Sequence, residues 1–102
     1  MVKFNVEENI ADEKALVCTF QERMDTVNSQ KISDEVVKKV QETKLPVIFN
    51  LEDVDYVASA FLGLCLRVVK EVGTKNLSIT NAQPNVKKVF MMAGFNREIN
   101  IQ

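Results

Sequence analysis

Segments with the period of a β-strand alternate along this chain with segments that have the period of a helix, and this alternation constrains the fold most. The segment 2–8 places apolar side chains at every second position, which is typical of a half-buried strand. A more apolar strand is predicted at 15–20, after a polar turn at 9–14 that suits a hairpin. The chain is therefore predicted to open with two antiparallel strands.

Three helices are predicted after this hairpin. The first carries one apolar stripe, formed by Ile32, Val36, Val37 and Val40. Asn28 or Ser29 is placed to cap that helix. The second, at 58–72, has few polar positions and is predicted to be mostly buried. Its predicted inward face consists of Leu62, Cys65, Leu66, Val69 and Val72. The third begins at Pro84 and stops at Gly94, with a predicted stripe of Val86, Val89, Phe90 and Ala93.

Strands are predicted between these helices and after the last of them. The run 46–51 is almost continuously apolar, as in a strand covered on both faces, and 76–81 and 95–101 supply two more. The order is β-β-α-β-α-β-α-β, which predicts an α/β fold with a mixed sheet of about five strands and three helices. A chain of 102 residues is expected to form a single domain over 1–102.

Composition excludes several classes of function. With 13 Lys and Arg against 14 Asp and Glu, the net charge of -1 gives no basic field for nucleic acid or anionic lipid. The chain has no His, so a Ser-His-Asp or Cys-His catalytic group and His metal sites are ruled out. Cys18 and Cys65 are predicted to be reduced core residues. We expect no metal and no cofactor.

The expected location is the cytoplasm. The first residues contain no apolar stretch of the kind that signal peptides carry. The most apolar run, 56–66, is far shorter than the roughly 20 residues that a membrane-spanning helix needs. We therefore expect no membrane insertion. The sequence does not indicate an oligomeric state.

The segment that leads from the third strand into the second helix contains a short series of characteristic positions: Asn50-Leu51 at the strand end, Val54 and Val57 in the turn, then Ser59 and Leu62-Gly63. This series resembles the STAS domain family, the fold of anti-sigma factor antagonists. The family pattern there is a strand ending in Asp-Leu or Asn-Leu, an apolar turn, and Asp-Ser-Ser-Gly-Leu-Gly opening a helix. Further matches are Arg23-Met24-Asp25, the segment 44–48, and the segment 84–90 with Gly94-Phe95. The resemblance covers nearly the whole chain.

The resemblance implies a regulatory function. In the family, the first serine is phosphorylated by a partner that is both anti-sigma factor and serine kinase, and this serine corresponds to Ser59. The chain departs from the pattern because Ala58, Ala60 and Phe61 replace the Asp, the second Ser and the first Gly. The candidate partner-binding residues are Asp25, Ala58, Ser59, Ala60, Phe61 and Gly63.

Several alternatives stay open on the sequence. Ser59 is either a regulated phosphorylation site or a plain helix N-cap, and Phe61 is either core or part of an apolar docking patch. The acidic residues Glu52, Asp53 and Asp55 either bind a cation or are merely solvated. The function is either a switched antagonist or a non-phosphorylated scaffold or accessory subunit of a signalling complex or transporter. No motif supports an enzyme.

Overall fold

The computed structural model describes residues 2–9 and 11–102. Met1 and one residue of the predicted turn at 9–14, Ile10, lie outside this range. The elements follow the predicted order: β1 (Val2–Glu8), β2 (Lys14–Gln21), α1 (Thr26–Thr43), β3 (Val47–Asp53), α2 (Ser59–Val72), β4 (Leu77–Thr80), α3 (Pro84–Met92) and β5 (Asn100–Ile101). Single 3-10 turns at Thr74–Asn76 and Phe95–Arg97 complete the chain.

The five strands form one mixed sheet in the order β1-β2-β3-β4-β5, which confirms the predicted fold class. β1 is antiparallel to β2, and the other neighbouring pairs are parallel. Successive parallel strands are neighbours, so right-handed crossovers place all three helices on the same face of the sheet. The carboxyl ends of β2, β3 and β4 consequently lead into helix N-termini along one edge of the sheet.

Phe61, in the first turn of α2, lies at the centre of the core. Its ring centroid is 5.0 Å from that of Phe20, 5.9 Å from that of Phe49 and 6.4 Å from that of Phe90. All four rings have no exposed surface. The aromatic cluster therefore joins two strands of the sheet to α2 and α3.

The predicted inward face of α2 is wrong at Leu66, whereas Cys65 is buried as predicted and Leu62, Val69 and Val72 are partly buried against the core. The helix buries Phe61, Leu64, Cys65 and Val68, whereas Leu66 is 48% exposed. The packing of Phe61 in the aromatic cluster turns its side of the helix toward the sheet, while the polar residues Arg67, Lys70 and Glu71 lie on the exposed side. In α3, Val86 and Phe90 are buried as predicted, but Val89 is 36% exposed. In the part of the chain that the structure describes, no helix combines the length and hydropathy needed to cross a membrane.

The N-cap of α1 is Asp25, so the prediction of Asn28 or Ser29 is wrong. The helix begins earlier than the apolar stripe suggests, and the Asp25 carboxylate accepts a 2.8 Å hydrogen bond from the backbone N–H of Asn28. The Ser29 side chain is buried, and its Oγ donates to the Met24 carbonyl at 3.2 Å. The predicted stripe from Ile32 to Val40 is buried as expected.

The last predicted strand, 95–101, is mostly a turn. Gly94 has a left-handed φ of 81°, which starts the 3-10 turn Phe95–Arg97. The Ile99 N–H then donates to the Phe95 carbonyl at 2.9 Å, so the chain curls before it can pair with the sheet. Only Asn100 and Ile101 pair with β4. Apolar alternation alone did not reveal this turn.

Both cysteines are buried free thiols, as predicted, and they make stability depend on pH. Burial raises the pKa of the Cys18 thiol to about 12 and also raises the pKa of Cys65. Above about pH 9, the unfolded chain releases thiol protons that the folded chain retains, so the free energy of unfolding falls as pH rises. We expect urea denaturation to show a shallower fall from pH 8 to pH 10.5 in the Cys18→Ala/Cys65→Ala variant. Equal slopes would contradict this assignment.

Candidate functional site

Two loops are joined side by side at the sheet edge where α1 and α2 begin. The Met24 N–H donates to the Tyr56 carbonyl, and the Ala58 N–H donates to the Met24 carbonyl, both at 2.9 Å. These bonds form an isolated parallel bridge between Met24 and Val57, two buried residues. Asp25 and Ser59 directly follow the bridged segments. The structure therefore brings the first loop and the Ser59 loop to one part of the surface.

Ser59 is the first residue of α2, and it is exposed. The N-cap is Ala58, so the alternative in which Ser59 is the N-cap is wrong by one position. No side chain caps this helix, and no acidic residue lies in its first turn. The N–H groups of Phe61 and Leu62 donate to the Ala58 carbonyl, so the N–H groups of Ser59 and Ala60 are left for solvent or an anion, at the positive end of the helix dipole.

Asp25 is half-buried and caps α1. Its carboxylate accepts a hydrogen bond from the Asn28 N–H, while the Asn28 side chain donates to the Arg23 carbonyl at 2.8 Å. Both contacts fix the loop that lies against the Ser59 loop. The structure thus gives Asp25 a capping role beside Ser59, and its contact with a partner stays a prediction.

The remaining candidate residues divide into surface and core. Phe61 has no exposed area, so it cannot touch a partner, and its inclusion in the docking surface is corrected. Ala58, Ala60 and Gly63 are half-buried and lie around the first turns of α2. The departure from the family pattern at Phe61 therefore changes the interior of the protein rather than its surface.

The candidate site residues named from the sequence did not include Arg23 or Tyr56. The Arg23 guanidinium carbon lies 4.4 Å from the centroid of the Tyr56 ring, a cation–π contact between the two loops. Tyr56 is 42% exposed, and Val27 in the first turn of α1 is 59% exposed. The available signal was the position of Tyr56, the chain's one tyrosine, within an otherwise acidic loop. Tyr and Arg are the residue types most enriched at binding hot spots.

The acidic residues before α2 lie on the protein surface. Glu52, Asp53 and Asp55 are exposed, and residues 2–9 and 11–102 contain no group of three or more acidic or Cys side chains that could hold a metal ion. Backbone carbonyls of this loop are tied to the start of α3: the Asn85 side chain donates to the Asp55 carbonyl at 2.7 Å. A cleft of about 510 Å³ lies among the carboxyl ends of α1 and α2, and its lining contains none of these acids.

Neither packing nor backbone conformation within the fold requires glycine at position 63. A Cβ added there would meet nothing within 4 Å, and the residue lies inside a helix. We expect Gly63→Ala to raise the free energy of unfolding by about 0.5–1 kcal/mol, because glycine loses more backbone entropy than alanine in a helix. Urea denaturation followed by circular dichroism measures this. A destabilised variant would show that the position is constrained internally.

Comparison with known proteins places this arrangement in a family. The model of the STAS domain matches residues 4–102. The chain belongs to the STAS domain family. No curated protein sequence matches it.

Solved structures share this STAS fold at low sequence identity. A putative anti-sigma factor antagonist from Thermotoga maritima superposes with a TM-score of 0.79 at 14% identity, over 96% of this chain and 84% of that one. The anti-sigma factor antagonist SpoIIAA in its unphosphorylated form gives 0.66 at 17%, over 98% and 87%. The phosphorylated form of SpoIIAA, a Bacillus cell fate determinant, gives 0.63 at 20%, over 98% and 91%. These similarities establish the fold.

Proposed function

We propose that this STAS domain is a regulatory protein-binding module without enzymatic activity of its own. It acts in the cytoplasm as an anti-sigma factor antagonist, and its partner is an anti-sigma factor that is also a serine kinase. The docking surface is centred on Ser59, and phosphorylation of Ser59 releases the partner. The observation that carries this proposal is the exposed Ser59 hydroxyl at the start of a largely buried helix.

The local structure around Ser59 supports a charge switch that leaves the fold intact. A phosphate adds a charge of about -1.5 to -2 and three acceptor oxygens. Here it would meet a helix N-terminus with no side-chain cap and no acidic residue in the first turn. The domain can therefore accept the charge, while a partner that has buried the hydroxyl cannot.

The surroundings of Ser59 support docking of a protein. Tyr56, three residues before Ser59, and Val27, in the first turn of α1, expose apolar surface, and Arg23 supplies a fixed cation on the Tyr56 ring. On α2, Gly63 lies four residues after Ser59 and Leu66 lies three residues after Gly63, which puts all three on one helical face. Because Gly63 has open space above it, a partner can approach the helix backbone closely there.

The scaffold alternative has its own support in Ala58 and Ala60. These residues replace a carboxylate and a hydroxyl of the family pattern, which leaves Ser59 as the single oxygen-bearing side chain in the segment 57–63. A scaffold or transporter accessory subunit would bind its partner irrespective of the charge at position 59. The two functions therefore differ in one measurable property.

Affinity capture from lysate of the source cells tests the proposal. We expect wild-type protein to retain a serine kinase with anti-sigma activity, and Tyr56→Ala to retain much less of it. Lys75→Glu is the control. Lys75 is exposed in the 3-10 turn before β4, at the amino ends of the parallel strands, whereas Ser59 lies at their carboxyl ends. Capture of a transporter or a non-kinase complex, equally by all three proteins, would replace the proposal with the scaffold function.

A further inference from the structure

Strand β1 forms an outer edge of the sheet and pairs on one side with β2, from Val2 opposite Phe20 to Glu8 opposite Lys14. Its other side carries backbone N–H and C=O groups with no strand partner among the described residues. Such an edge is a template on which another strand can pair. Binding at this edge of β1 does not depend on the function proposed for Ser59.

The side chains of β1 are divided between the two faces of the sheet. Phe4 lies opposite the core residue Cys18, and the Lys39 ammonium of α1 is 5.9 Å from its ring centroid, so Phe4 faces the helices. Asn5 and Glu7 face the open side, where the Asn5 side-chain amide donates to the Glu7 carboxylate at 3.1 Å. Lys3 shares that side by strand alternation.

This pattern is complementary to itself when the strand is reversed. In an antiparallel pair of β1 strands centred on Asn5, Lys3 lies opposite Glu7 of the second copy, and Glu7 lies opposite Lys3 of the second copy. Phe4 lies opposite Val6, which is 48% exposed in the single chain. Opposite charges and apolar pairs facing each other across two strands both stabilise the pairing.

Other registers lose this match. A shift that keeps the faces aligned must move the strands by an even number of residues. Such a shift places Lys3 opposite Asn5 or Asn9 and removes both ion pairs. The charges therefore select one register.

We propose that β1 pairs antiparallel with β1 of a second copy of this chain, about a twofold axis at Asn5. The result is a continuous ten-stranded sheet with an isologous interface. One strand pair buries less surface than the roughly 1,200–2,000 Å² of stable complexes, so the dimer is dependent on concentration. The ion pairs lie on the exposed face, so salt weakens the dimer.

Charge reversal tests the proposal in the full chain. In sedimentation equilibrium, we expect Lys3→Glu and Glu7→Lys each to raise the dimer dissociation constant by about tenfold, because the twofold axis turns both ion pairs into repulsions. The double variant Lys3→Glu/Glu7→Lys restores the wild-type constant, and Lys75→Glu leaves it unchanged. Circular dichroism confirms folding of each variant. A monomer at about 1 mM, where even weak pairs form, or a double variant that fails to recover, would overturn the proposal.

A disulfide across the axis tests the register. Residues that face each other in antiparallel strands have Cα atoms about 4.5–5.5 Å apart, within the range that disulfides span. With oxidised glutathione, we expect Asn5→Cys to cross-link into a dimer. Lys3→Cys alone does not, but it cross-links when mixed with Glu7→Cys. The native thiols are buried and do not interfere. Cross-linking of Lys3→Cys alone as fast as of Asn5→Cys would refute the register.

Discussion

Phe61→Ala is expected to lower the free energy of unfolding by about 3–5 kcal/mol, the range for removing a buried phenylalanine ring. Phe61 is fully buried and makes edge-to-face contacts with Phe20 and Phe90, so alanine leaves a cavity bounded by strands and helices that cannot all close in. A loss of this size is a large part of the stability of a small domain. Urea denaturation followed by circular dichroism measures it.

Leu66→Ala is the matched control for that prediction. Leu66 lies on the same helix and is 48% exposed, so its truncation is expected to change the free energy of unfolding by less than about 1 kcal/mol. A similar loss for both variants would mean that α2 is oriented differently from the structure. A loss below about 1 kcal/mol for Phe61→Ala would contradict its central position in the core.

Ser59→Asp is expected to weaken binding of the captured kinase by at least tenfold, which is about 1.4 kcal/mol. The carboxylate places a charge where the partner buries a hydroxyl, and a buried charge without a counter-ion is strongly unfavourable. Ser59→Ala removes the hydroxyl without adding charge, so its effect is expected to be smaller. Isothermal titration calorimetry with the purified partner compares the variants.

Thr74→Asp controls for the added charge itself. Thr74 is an exposed hydroxyl residue in the 3-10 turn before β4, at the amino ends of the parallel strands and away from Ser59. The Thr74→Asp variant is expected to bind the partner with the wild-type affinity. Equal affinity of Ser59→Asp and wild type would exclude the charge switch and favour the scaffold function.

The sequence predicted the order of elements because short strands and helices differ in hydrophobic period, and tertiary contacts decided the rest. α1 has polar residues on one side, so its buried stripe from Ile32 to Val40 was predicted correctly. In α2, the packing of the Phe61 ring against Phe20 places Phe61, Leu64 and Val68 inward and leaves Leu66 exposed, which the apolar pattern did not predict. The turn after Gly94 depends on a left-handed φ that hydrophobic alternation does not encode.

The position of Ser59 at the start of a helix followed from the family pattern, whereas the surface around it did not. The bridge between Met24 and Val57 brings two loops together that are more than thirty residues apart in sequence. The contact of Arg23 with Tyr56 depends on that bridge, so no local pattern could reveal it. The side chain of Phe61 was open to two interpretations because both core and interface favour aromatic residues.

Mapping phosphate on the chain by mass spectrometry tests the central claim most directly. The protein is incubated with ATP and lysate of the source cells, purified again and digested. We expect phosphate on Ser59 and none on the buried Ser29, with no phosphorylation of the Ser59→Ala variant at the same position. Wild-type protein that binds its kinase partner but carries no phosphate on Ser59 would contradict the account.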